Sequence, residues 1–235
     1  MNNVIAIHQP NFFPWLGYFD KIVRSDRFVF LDHVQFPKTG GTWSNRVKML
    51  VSGEARWITA PIVRDYHGVR AISEMEFQPN HPWRKKVLKT IVINYSKAPH
   101  FKETIEFLET LLLNKENNLS SYNTQAIRAI TEQLGISGKK YYWSSQLIYH
   151  GQSNEMLVSL IQAVRGNTYM SGSGAGAYME DKLFKQRGVA LQYQIFQDPV
   201  YPQLGTDKFI PRLSVIDALM NIGWKGVQNL LEIGT

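Results

Sequence analysis

The apolar run Val4-Ile5-Ala6-Ile7 stops at His8-Gln9-Pro10, and this junction constrains the chain more than any other stretch. Four apolar residues in succession predict a short buried strand rather than a half-exposed one. The strand ends on an imidazole and an amide. Pro10, Pro14 and Gly17 then shape a turn, and an aromatic helix, predicted over 18–24, follows. Polar groups at the carboxyl end of the first strand of an α/β sheet are where such folds carry out ligand chemistry.

The rest of the chain repeats this alternation. Residues 27–36 (RFVFLDHVQF) predict a second strand, 56–63 (RWITAPIV) a third and 71–77 a short fourth. Apolar residues then recur at three- and four-residue spacing over 81–95, 102–114 and 121–134, the pattern of amphipathic helices. Strand-like sequence returns at 141–147, 168–171 and 189–196. Helical sequence occupies 154–164, 182–187 and, with Ser214 as its cap, 214–221. Strands alternating with helices predict an α/β domain with a mainly parallel sheet. A single domain over 1–235 is expected, with 81–135 as a helical insert.

Composition narrows the function classes. Of the 235 residues 44% are hydrophobic and 19% charged, values of a globular chain. No apolar run reaches the roughly 18–20 residues that a membrane-spanning helix needs. The N-terminus passes straight into strand sequence without the signature of a secretory leader, so a cytoplasmic location is expected. The absence of cysteine excludes disulfides, thiolate metal sites and a cysteine nucleophile. The six histidines show no metal-ligand spacing, and no metal is expected. The net charge of +7 favours an anionic partner. The lysines and arginines are dispersed, however, and the densest group, Arg84-Lys85-Lys86-Lys89, has the spacing of a solvated helix face. That argues for a phosphorylated small molecule and against nucleic acid.

Four stretches can carry chemistry. His8 can move a proton or donate to developing charge near neutral pH, and Gln9 can orient a substrate; the plain alternative is a histidine that closes a local hydrogen bond at a strand end. Asp32, His33 and Gln35 fall near the end of the second strand, either as its exposed tip or lining the same cleft as His8. Lys38, Arg46 and Lys48, beside Gly40-Gly41, can hold phosphate or carboxylate, and Asn45 can orient a substrate, unless the stretch is a solvated basic loop. Ser171-Gly172-Ser173-Gly174-Ala175-Gly176-Ala177-Tyr178 is a glycine-rich turn whose backbone N–H groups can approach a phosphate. It has neither the lysine of a Walker loop nor the GxGxxG spacing.

The strings HQPNFFPWLGYFDKI, DHVQFPKTGGTWSNRVK, WITAPI, YMSGSGAGAYM and VYPQLGTDKFIPRLSVIDALMNIG, in this order from His8 to Gly223, resemble the WbqC-like family. Members tend to occur among bacterial genes for O-antigen and other surface polysaccharides, and a glycine-transferring role has been suggested for some. The matching positions are His8, Gln9, Pro10, Pro14, Trp15, Gly17, Asp32, Gln35, Asn45, Arg46, Ser171, Gly172, Tyr178, Tyr201, Gln203 and Asp217. The layout of the N-terminus is also similar to pantothenate synthetase and related nucleotidyltransferase-like enzymes, but their HxGH motif is absent. The resemblance implies a Rossmann-like, nucleotidyltransferase-like α/β fold. It further implies a transferase acting on a nucleotide-linked amino sugar, by aminoacyl (glycyl) or acyl transfer to the amine. His8, Asp32 and His33 are the catalytic candidates. Gln9, Gln35, Asn45, Arg46, Lys48, Ser171, Gly172, Ser173, Gly174, Tyr178, Tyr201 and Gln203 are the substrate-binding ones. An ATP-dependent nucleotidyltransferase or amide ligase, which would add ATP as cofactor, and a non-catalytic nucleotide-sugar binding protein are the alternatives.

Overall fold

A computed structural model describes residues 3–172 and 179–233. The chain divides into two compact units. The first comprises residues 1–9, 17–33 and 137–197, and the second residues 10–16, 34–136 and 198–235. Among the described residues no helix is long and apolar enough to cross a membrane.

The first unit is the α/β sheet that the strand–helix alternation predicts. Its five strands are β1 (Val4–His8), β2 (Arg27–Phe30), β5 (Lys140–Trp143), β6 (Thr168–Ser171) and β7 (Ala190–Tyr193). They lie in the order β5-β2-β1-β6-β7, and every pair is parallel. β1 is therefore central, which explains its unbroken apolar run: Ile5, Ala6 and Ile7 are all buried. Pleating sends Ile5 and Ile7 to one face, where with Val29 they meet Val158, Leu160 and Ile161 of α5 (Ser153–Ala163) and Phe184 of α6 (Asp181–Gln186). Ala6 and His8 point to the other face, together with Phe28 and Phe30. There Tyr18 of α1 (Leu16–Val23) packs 5.4 Å from Phe28.

This division of helices between faces follows from chain direction. From β1 the chain steps to β2 and then β5 on one side, and afterwards fills β6 and β7 on the other. Right-handed crossovers taken in opposite lateral directions place their helices on opposite faces. The order reverses between β1 and β6, and a doubly wound sheet opens its crevice at the carboxyl ends of the two strands flanking such a reversal.

The second unit holds an antiparallel hairpin of β3 (Arg46–Val51) and β4 (Glu54–Thr59). Ser52 and Gly53 link them, both at positive φ, as a two-residue hairpin turn requires. It also holds the helices α2 (Trp83–Tyr95), α3 (Phe101–Leu112), α4 (Leu119–Gln133) and α7 (Val215–Leu230). The Asn118 side chain accepts from Ser121 N at 3.0 Å to cap α4, and Ser214 caps α7. Its organising polar group is the buried Asp217, which accepts from Tyr95 (2.8 Å), Tyr201 (2.8 Å) and Gln203 (3.0 Å). Tyr95 in turn accepts from Leu50 N of β3 at 3.0 Å.

Several boundaries differ from the sequence expectation. β2 stops at Phe30, because Asp32 and His33 turn their side chains into hydrogen bonds rather than continuing the pleat. Residues 46–51, for which the sequence predicts no strand, form β3: Val47 and Met49 are buried while Arg46 and Lys48 alternate with them toward the other face. Residues 71–77 contribute single bridges, Gln35 to Ala71 and Ile62 to Phe77, on either side of a 3₁₀ turn at Ile72–Glu74, not a strand. The 81–135 stretch is α2 to α4, and it clusters within the second unit.

Gly166, just before β6, shows how tightly the first unit is packed. A Cβ there would lie 2.1 Å from Ile5 Cγ1 and 3.0 Å from Ile161 Cγ2. Gly166→Ala is therefore expected to destabilise the fold by roughly 1–3 kcal/mol through overpacking of the central strand. Denaturant unfolding checks this, and a midpoint unchanged from the native chain would contradict it.

Candidate functional site

His8 ends β1 at the strand-order reversal. The pairing of Val4, Ile5 and Ala6 with Thr168, Tyr169 and Met170, continued two residues, brings His8 level with Gly172, where the glycine-rich segment begins. The imidazole is fixed from two sides. Its Nδ1 lies 3.1 Å from the Gln9 carbonyl oxygen, which also accepts from the Tyr18 hydroxyl at 3.0 Å, and its ring sits 4.7 Å from that of Tyr18. A carbonyl only accepts, so Nδ1 carries the proton and the neutral ring presents a lone pair at Nε2. Burial, and then the positive charge of Lys21, push the His8 pKa down to about 3, so the ring is neutral at physiological pH.

Lys21 is the group that sequence reading missed. It sits on α1 three residues after Tyr18, and its side chain is buried. Burial pulls its pKa down to about 8. A Cβ built on Gly172 would stand 3.6 Å from its Nζ, so the ammonium lies beside Gly172 at the end of β6. The neighbouring carboxylate does not neutralise it: Asp20 bonds Arg24 Nε at 2.7 Å and Gln194 Nε2 at 2.6 Å. Among the described residues Lys21 has no ion-pair partner. The helical spacing of Tyr18, Lys21, Ile22 and Ser25 was the available signal, since it places Lys21 on the inward face.

Other candidates fall elsewhere in their units. Asp32, buried, accepts from Ser144 Oγ (3.1 Å), Ser145 N (2.9 Å) and Ser145 Oγ (2.8 Å). His33 has Nδ1 2.6 Å from Ser144 Oγ and Nε2 3.1 Å from Met156 Sδ, and it stacks on Tyr149 at 4.4 Å. Burial lowers its pKa. Ser171 ends β6 and is buried. Ser173, Gly174 and Tyr178 lie outside the described residues.

In the second unit, Asn45 closes a turn by accepting from Thr42 N (3.0 Å) and donating to Ala60 O (3.1 Å). Gln35 is exposed and bridges to Ala71. Tyr201 and Gln203 belong to the Asp217 network. Arg46 and Lys48 lie over the Trp57 ring, at 4.2 Å and 5.3 Å from its centroid. Among the described residues no group of three or more His, Asp or Glu is placed to share a metal ion.

The fold and the first unit's site define a doubly wound α/β protein with a cation and a neutral imidazole at its strand-order reversal. The model of the WbqC-like protein family matches residues 9–229, and the chain belongs to that family. It is 32% identical over 224 residues to a Mycobacterium tuberculosis (strain ATCC 25618 / H37Rv) protein described as uncharacterized protein Rv1507c. That alignment covers 93% of this chain and 94% of the relative. No solved structure matches.

Burying the Lys21 ammonium opposes folding. Below pH 8 both folded and unfolded chains carry the proton and the full penalty applies; between pH 8 and the ordinary value of 10.5 the folded chain releases it first, and stability rises with pH. His8 contributes the opposite flank, since the unfolded chain protonates below the ordinary value of 6.5 and stability falls as pH drops from there. Lys21→Met is expected to stabilise the unliganded protein at pH 7 by on the order of 3 kcal/mol. It should also flatten the rise between pH 8 and 10.5. Urea midpoints across that range test both statements, and a variant less stable than the native chain would contradict them.

Proposed function

We propose that this protein is a transferase that acts on a nucleotide-linked amino sugar in the biosynthesis of a bacterial surface polysaccharide, joining an aminoacyl or acyl group to the sugar amine. The observation that carries the reading is the juxtaposition of neutral His8 with buried Lys21, which has no ion-pair partner among the described residues, beside Gly172 at the reversal of strand order. Family membership supports the polysaccharide setting.

In this reading Lys21 and the backbone N–H of Gly172 meet the phosphates of the sugar donor or acceptor. An incoming anion offsets the desolvation that depresses the lysine and restores its full charge. His8 takes the proton from the amine. A ring with a pKa of about 3 is too weak a base to remove a proton from a resting amine. It becomes competent as the nitrogen attacks the acyl carbon, because the nitrogen then turns cationic and strongly acidic. The new C–N bond forms, the proton passes to Nε2, and the donor's leaving group departs with the electron pair of its former acyl bond. The Gln9 carbonyl holds the tautomer that makes this possible.

Mass spectrometry of nucleotide-linked amino sugars incubated with activated aminoacyl and acyl donors tests the reaction directly. A mass gain corresponding to one acyl group is expected. His8→Ala should lower that turnover by about 10²–10⁴-fold while leaving the unfolding transition cooperative. Near-native turnover in the variant would make His8 a structural residue. Nucleotide-sugar binding with no product from any donor would instead favour a binding protein, and pyrophosphate release with ATP a ligase.

A further inference from the structure

We infer that the second unit carries an oxyanion-binding site of its own, built on Arg46 and taking a carboxylate or a phosphate. A cavity of about 310 Å³ opens between the Gly40-Gly41 turn and the start of the hairpin. Asn45, Arg46, Thr59, Arg64 and Gln78 supply its polar lining, and neither aspartate nor glutamate is among the lining residues. Two arginines thus line a cavity that no carboxylate lines.

The two arginines do different things. Arg64 donates to the carbonyls of Pro37, Lys38 and Gly40, so its fork holds the turn in shape. Asn45 is likewise engaged by Thr42 and Ala60. Arg46 has no ion-pair partner among the described residues, and its Nε is buried without a hydrogen-bond acceptor. A buried N–H without an acceptor carries its full desolvation penalty, and that of a charged group is larger still. The Trp57 face, 4.2 Å from the guanidinium carbon, orients the plane of the fork without supplying an acceptor. A planar or tetrahedral oxyanion supplies two oxygens at the spacing of that fork.

Gly41 and Lys48 complete the arrangement. A Cβ on Gly41 would stand 2.8 Å from Arg46 Cδ and 3.2 Å from its Nε, so only glycine leaves the arginine in this position. Lys48, two residues along the same strand, shares the Trp57 ring with Arg46, its Nζ 5.3 Å from the ring centroid, though it does not itself line the cavity. The site uses no residue of the first unit, so it stands or falls separately from the transfer reaction proposed for His8 and Lys21.

Isothermal titration calorimetry of the full chain at low ionic strength, with inorganic phosphate and with acetate as probes, tests the inference. At least one probe is expected to bind. Arg46→Gln should weaken that binding about tenfold or more, as the loss of a charge-assisted hydrogen bond does. Gly41→Ala, which keeps every charge but displaces the guanidinium, should weaken it similarly and serves if Arg46→Gln does not fold. Lys102→Gln, an equal change of net charge on an exposed helix position, should leave it within about twofold. Lys21→Met should leave the Arg46-dependent component intact. Preference between the two probes assigns the ligand to the phosphate or the carboxylate class. Native-like binding in both Arg46→Gln and Gly41→Ala, an equal loss in Lys102→Gln, or no binding of either probe would overturn the site.

Discussion

The central position of β1 is the constraint on which the first unit depends. A strand paired on both edges and covered on both faces must be apolar along its length, and Val4–Ile7 meets that demand. The same position leaves one place where a polar residue is tolerated, the carboxyl end, where the neighbouring crossovers part. His8 occupies that place. Its ring is held by the carbonyl of the next residue and the ring of Tyr18, so the turn chemistry of Gln9-Pro10 and the packing of α1 act together on one imidazole.

Two cations illustrate how this protein departs from ordinary packing rules. A buried lysine is normally paired or neutral. Lys21 is buried with the adjacent carboxylate already committed to Arg24 and Gln194, and burial pulls its pKa down. Arg46 has a buried Nε without an acceptor although carboxylates are available elsewhere on its hairpin, as the exposed Glu54–Arg56 pair shows. Groups held in this way oppose folding and favour anion binding, a trade often seen where a fold carries a site. Asp217 is the counterexample. It too is buried and its pKa is raised by desolvation, but three donors surround it, and its role is to join α2, the 198–213 loop and α7.

Membership of the WbqC-like family and the doubly wound sheet rest on different evidence, the first on near full-length sequence matching and the second on strand pairing. They meet at the HQPNFFPW stretch. His8 ends the central strand, and from Pro10 the stretch belongs to the second unit.

The sequence by itself determined the α/β class, the parallel sheet and the helical character of residues 81–135, because those follow from local periodicity: runs of apolar residues for buried strands, three- and four-residue spacing for helices. It also marked His8 and the glycine-rich segment, since a histidine after an apolar run and repeated glycines are legible without neighbours. The hairpin strand β3 was missed: the charges of Arg46 and Lys48 drew attention away from their alternation with Val47 and Met49. Only the tertiary structure decided the order β5-β2-β1-β6-β7, because strand order depends on which way each crossover steps, and no residue encodes that alone. It also decided that Lys21 is buried, and that Asp32 meets two serines over a hundred residues away. Burial and long-range hydrogen bonds are properties of a residue's surroundings, and those exist only once the chain has folded.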